Sequence, residues 1–203
     1  MAPERREKLF ESAAEEFVAH GYDGASLNRI IARAGMGKSS LYYYFDNKSD
    51  LFRTVIETGI AAFIRDIGGF DYTVLTADTF WPEIAAVFVR GVRFSERNVW
   101  YVRLGQLFWR LRGQDKAAKA TGQVFKLVQV WVTAFLRHGM ALGVVRDDLP
   151  ETLLTQSVMA LLEVCDRYVL ESWEDYDEAG RRAMVMQQAD LLKRLCAPAG
   201  SPG

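Results

Sequence analysis

Residues 26–45 read SLNRIIARAGMGKSSLYYYF, and this stretch decides the fold. Ser26 offers a side-chain oxygen where a helix can begin, and Leu27, Ile30, Ile31 and Ala34 form that helix's apolar face. Ala34-Gly35 then supplies a small residue, and Gly35 permits the positive φ that lets the chain double back. A second short helix follows from Lys38 to Phe45. At 100° per residue Leu41 and Phe45 fall on one side with Tyr44 flanking them, while Ser39, Ser40 and Tyr43 fall on the other. Lys38 stands at the N-terminal end and Tyr42 at the flank. The outward face is therefore hydroxyls, a phenol and an amine, groups that donate to base edges and phosphate oxygens. Two short helices, a tight turn and that face predict a helix-turn-helix over about residues 26–45.

Working outward, helical periodicity continues in both directions. Upstream, a helix from about Glu4 to Ala19 carries Leu9, Phe10, Ala13, Ala14 and Phe17 on one apolar face, and Gly21 ends it. Downstream, Asn47 followed by Asp50 resembles a capping box, opening a long helix over 48–67 that stops at Gly68-Gly69. After a connection near Phe70, helices are expected over 80–94, 98–111, 121–142, 149–172 and 177–195. Asp148 is placed to cap the helix that begins near 149, with Pro150 in its first turn. No sustained alternation of period two is present, so the expected class is all-α. The division expected is a three-helix head over 1–50, the linking helix 48–67, a larger helical domain over 70–196, and a disordered tail, APAGSPG, over 197–203.

Composition narrows the classes further. The chain has 203 residues, half of them hydrophobic, and a net charge of -1, the profile of an ordinary soluble protein with a sizeable core. No apolar run reaches the roughly 18 residues needed to span a bilayer, and no secretory leader pattern precedes the first helix. Cys165 and Cys196 stand far apart without zinc-site spacing, as expected of two reduced core thiols in a cytoplasmic protein. Charge is uneven: Arg29, Arg33, Lys38 and Lys48 face only Asp46 between Ser26 and Ser49, a basic island suited to a small footprint on phosphate. His20 and His138 are isolated, no nucleophile motif lies near either, and no cofactor signature is present, so an enzyme is not expected. ARAGMGKS at 32–39 formally matches a relaxed phosphate loop. Such a loop needs a strand before it and a long helix after it, and neither is there.

Over residues 5–55 the sequence resembles the TetR family of bacterial regulators. The residues that carry the resemblance are Ala14, Phe17, Gly21, Tyr22, Ser26, Ile30, Ala34-Gly35, Leu41-Tyr42-Tyr43-Tyr44-Phe45, Lys48 and Leu51. Ile31, Met36, Gly37 and Ser39 depart from the common pattern, which bears on operator sequence and not on fold. The resemblance implies that Tyr42 and Lys48 hold the DNA backbone, that Lys38, Ser39, Ser40 and Tyr43 face bases or nearby phosphates, and that Tyr44 lies near the backbone. Asn28, with help from Arg29, is implied to reach DNA from the preceding helix.

From residue 70 onward aromatics are dense, and most are expected in the core. The resemblance adds a small-molecule cavity, with Tyr101, Phe108, Trp131 and Phe135 as its expected lining and Arg103 or Arg110 as cations that could meet an acidic group. It also implies a homodimer through the last two helices, where Leu153, Leu154, Val158, Leu161, Leu162, Cys165 and Val169 form one apolar band. Met184, Met186, Leu191, Leu192 and Leu195 form the other. The function expected is a repressor that a small-molecule effector releases from palindromic double-stranded operator DNA. The alternative is a small-molecule-binding helical protein acting as an activator or a sequestering module.

Overall fold

A computed structural model describes residues 1–66, 71–111 and 118–198. Gly68-Gly69 and the end of the tail lie outside the described residues. Among the described residues the chain forms α-helices joined by turns and no strand: α1 (Pro3–Gly24), α2 (Leu27–Ala34), α3 (Lys38–Tyr44), α4 (Lys48–Asp66), α5 (Phe80–Arg97), α6 (Val99–Leu111), α7 (Ala118–Ala141), α8 (Glu151–Glu171) and α9 (Glu178–Cys196). The expected all-α class holds. None of these helices is long and apolar enough to cross a membrane.

Several boundaries follow from local chemistry. Regular winding of α1 breaks at Gly21, whose φ of 66° and ψ of 176° only glycine adopts cheaply, and one further turn runs to Gly24. Ser26 Oγ accepts from the Arg29 N–H at 3.4 Å at the start of α2. Gly35 closes α2 in the left-handed region (φ 63°, ψ 34°), and the Met36 N–H returns to the Ile31 carbonyl at 2.9 Å, a Schellman arrangement. At α4 the Asp50 N–H donates to Asn47 Oδ1 at 3.0 Å, but the Asp50 carboxylate answers to the Asp46 N–H instead of closing a full box. One expected cap is corrected. Asp148 does not cap α8; Arg146 takes both its carboxylate oxygens at 2.7 and 2.8 Å, and Pro150 occupies the N-cap. A bidentate guanidinium two residues away outcompetes a backbone N–H.

The helices group into two compact units. The first is formed by the described residues of Met1–Ala62 and Asn98–Gly122. Its core is Leu9, Ala13 and Phe17 of α1, Ile30 and Ala34 of α2, Leu41 of α3, and Leu51, Phe52 and Val55 of α4. Phe17 meets Phe52 edge-on at 4.9 Å and stacks with Tyr22 at 6.1 Å. The helix α6, which periodicity alone assigns to the larger domain, packs here against α1. It also approaches α4 at Gly59, where a Cβ would stand 3.2 Å from Leu104.

The second unit takes the described residues of Phe63–Arg97 and Gln123–Gly203. Phe80 of α5 stacks on Phe135 of α7 at 4.5 Å, within a core that also holds Ile84, Leu136, Val145, Leu154, Val158 and Leu192. Gly139 lets this core close: a Cβ there would lie 2.4 Å from Val145 and 2.6 Å from Phe80. Arg181 ties α9 to α5 through Glu96 at 3.2 Å and lies over the Trp173 ring at 4.6 Å. Both cysteines are free and buried, and burial pushes the Cys196 thiol up to about 12.

Candidate nucleic-acid interface

The candidate interface is built on α3. Leu41 is 1% exposed and Phe45, the residue that ends the helix, is 7% exposed with its ring edge-on to Phe10 at 6.4 Å. These two anchors fix which way the remaining side chains point, because a seven-residue helix has only two turns. Tyr43 is consequently 81% exposed, and Tyr42 and Tyr44 are exposed beside it. The Tyr43 and Tyr44 rings meet at 4.9 Å in a T-shape. Lys38 and Ser39 are exposed and Ser40 is half-buried. Asn28 is exposed on the first turn of α2. The expected outward set on α3 is thus brought together on one surface, and the anchors point inward as the periodicity predicted.

Lys48 and Arg29 are placed differently from simple outward contacts. The Lys48 ammonium donates to the carbonyls of Asp23 at 3.0 Å and Ala25 at 3.1 Å, and lies over the Tyr22 ring at 5.0 Å. Arg29 turns onto Glu16: its Nε donates to Glu16 Oε1 at 2.7 Å, and its Nη2 donates to the Gly24 carbonyl at 2.8 Å. Two cations therefore hold three consecutive carbonyls of the α1–α2 connection, residues 23–25. Ammonium and guanidinium groups carry several donors each, so a turn whose carbonyls have no helical partners is a natural place for them.

Glu16 is the residue that sequence reasoning missed. Its side chain is fully enclosed. Burial pushes its carboxyl up, but hydrogen bonds from Arg29 and the Ser26 N–H, with the nearby Arg29 charge, hold it below the usual carboxylate range. A signal existed: Glu16 lies seven residues after Leu9 and three after Ala13, on the apolar stripe of α1, where a charge needs a partner.

The four aromatics expected around a ligand are not gathered in one unit. Trp131 and Phe135 stack at 5.5 Å in the second unit, where Phe135 is core, and Tyr72 meets both edge-on. Tyr101 and Phe108 lie half-buried on α6 in the first unit. A recess of about 230 Å³ between α1 and α6 is lined by Ala14, Glu15, Val18, Val99, Trp100 and Arg103. None of the four expected aromatics lines that recess.

Comparison with known proteins bears on the same segment. Residues 9–55 match the family model described as bacterial regulatory proteins, tetR family. An HTH-type transcriptional repressor of Streptomyces coelicolor is 44% identical over 50 residues, 25% of this chain and 26% of that protein. The HTH-type transcriptional activator FasR of Mycolicibacterium smegmatis is 41% identical over 54 residues, 27% of this chain and 25% of its own length. The chain thus spans only about a quarter of these curated relatives. Solved structures match over far more. The fatty acid degradation regulator FadR of Bacillus halodurans superposes with a TM-score of 0.77 at 18% identity, covering 98% of this chain and all of that one. FadR of Bacillus subtilis, solved in complex with stearoyl-CoA, gives 0.75 at 18% identity over 92% of this chain and 97% of its own.

Proposed function

We propose that the chain, whose residues 9–55 match the model of the TetR family of bacterial regulatory proteins, is a homodimeric repressor of transcription of that kind. It binds a palindromic operator through α3 and leaves it when a small molecule binds the helical part. The observation that carries this reading is the arrangement of α3: Leu41 and Phe45 locked inward, with Lys38, Ser39, Ser40 and Tyr43 displayed outward. Those four side chains face bases and adjacent phosphates in the major groove. Tyr42 and Tyr44 flank them toward the backbone, and Asn28 reaches it from α2. Lys48 has a third N–H beyond the two given to carbonyls, and with the start of α4 it offers a phosphate oxygen both a donor and a positive helix end. Arg29, held by Glu16, is left out of this set.

Two-fold symmetry comes from α8 and α9. Their buried faces, including Leu154, Val158, Met184 and Leu192, pack within the unit. Leu153, Val164, Tyr168, Met186 and Leu191 remain exposed on the same two helices and supply the apolar surface of a four-helix bundle between copies. The head and the rest of the chain then act as DNA-binding and ligand-binding domains, about 1–50 and 70–196. Of the four expected lining residues, Trp131 and Phe135 form the stacked pair in the second unit and Tyr101 and Phe108 lie on α6 in the first, and an effector contacting either pair would act by preferring one conformation of the DNA-binding dimer. The stearoyl-CoA complex of Bacillus subtilis FadR makes a long-chain acyl thioester the first effector to try. FasR, an activator similar to this chain in the same segment, keeps activation open as the second reading.

Selection of bound duplexes from a random pool tests the proposal. The expected result is an imperfect palindrome with half-sites about one DNA turn apart, or somewhat more. The same duplex is then challenged with small molecules, beginning with stearoyl-CoA. No enriched sequence refutes the DNA-binding reading. A molecule that binds tightly yet leaves operator affinity unchanged refutes control by that molecule.

A further inference from the structure

Glu16 does more than join two helices. Its Oε1 accepts from the Ser26 N–H at 3.0 Å and lies 2.6 Å from Arg29 Nη2. Among the described residues its Oε2 has no hydrogen-bond partner, and it faces Arg33 Nη1 at 3.7 Å and His20 Nε2 at 3.8 Å. Arg33 also approaches Glu15 at 3.9 Å. Arg29 and Arg33 are the only cations in the sequence of α2, and both are drawn toward α1. The same helix leaves Asn28, a neutral side chain, exposed on its first turn.

We propose that Glu16 sets the strength of sequence-independent DNA binding: its enclosed carboxylate withholds the Arg29 and Arg33 guanidinium groups from phosphate. Sequence-independent binding stays weak, and the side chains of α3 decide which duplex is held. This rests on the DNA-binding reading above.

The physical argument is one of differences. A guanidinium placed on a phosphate releases counterions and strengthens binding to every duplex, right or wrong, by the same factor. That factor cancels from the ratio of operator to random affinity, so Glu16 lowers the hold on all DNA while the side chains of α3 keep the choice between sequences. Both arginine side chains are close to half exposed, 49% for Arg29 and 46% for Arg33, so loss of the Glu16 charge lets them swing outward without unfolding α2. A purely structural role for Glu16 makes the opposite prediction, weaker binding to all DNA when the carboxylate is lost.

The test measures affinity for a random-sequence duplex and for the selected operator between 50 and 200 mM salt, roughly the span over which phosphate contacts show most clearly. Glu16→Gln is expected to steepen the logarithmic salt dependence on random DNA by about 0.9 for each guanidinium released, and to tighten binding to random and selected duplexes alike, leaving their ratio unchanged. The double variant E16Q/R29Q is expected to return about 0.9 of that slope. An E16Q slope equal to or flatter than wild type overturns the inference. Should E16Q fail to fold, Arg33→Gln decides, because Arg33 is held only at ion-pair distance. A wild-type slope on random DNA supports the inference, and a slope flatter by about 0.9 means that Arg33 already sits on phosphate and overturns it. A wild-type protein that binds no DNA refutes the functional reading itself, whereas wild-type binding with an unmoved E16Q slope refutes this inference alone.

Discussion

Phe17→Ala is expected to destabilise the protein by about 3–5 kcal/mol, a large part of the 5–15 kcal/mol typical of folded domains. Phe17 is fully buried, and its ring is gripped by Phe52 at 4.9 Å and Tyr22 at 6.1 Å, so neither neighbour can collapse into the void without giving up the other. The cost combines the missing apolar burial with an unfilled cavity at the point where α1 supports α4. Urea denaturation followed by circular dichroism measures it as a lowered midpoint at similar slope. Phe17→Leu, which keeps most of the volume, is expected to lose much less. A loss below about 1 kcal/mol for the alanine variant would show that the head does not depend on this aromatic cluster.

Tyr43→Ala is expected to behave in the opposite way, with unchanged stability and poor recognition. The side chain is 81% exposed, so its removal should alter stability by no more than about 0.5 kcal/mol. In a two-fold complex the substitution removes one base interaction from each half-site, at about 1–3 kcal/mol apiece, so operator affinity should fall about thirtyfold or more. Affinity for random duplex should hardly move, because the phosphate contacts remain. Fluorescence anisotropy on both duplexes, with a thermal melt on the same samples, checks all three statements. A melting temperature lowered with no change in operator affinity would place Tyr43 in packing and not in recognition.

What the sequence disclosed follows a physical division between local and distant partners. Ser26, Gly35, Asn47 and the inward turn of Leu41 and Phe45 were legible because each depends on residues within one or two helical turns. Asp148 misled because a local competitor, Arg146, stood on the other side of it. The bond between Arg29 and Glu16 spans thirteen residues and joins two helices, so only the fold could show that Arg29 is engaged. The aromatics illustrate the same limit. Tyr101 and Phe108 share composition and helical spacing with Trp131 and Phe135, yet the first pair belongs to the unit that carries α3 and the second pair does not. Periodicity tells which side of a helix is apolar, and it is silent on which neighbour that side meets.

Methylation interference at guanine N7 on the selected operator addresses the claim on which the rest depends, since N7 lies in the major groove and α3 is assigned to that groove. The account predicts two clusters of interference about one turn apart, one in each half-site, and their weakening at the positions Tyr43 contacts in the Tyr43→Ala protein while phosphate contacts persist. Binding unaffected by N7 methylation anywhere in the operator would contradict it, and would mean that residues 38–44 do not read the duplex.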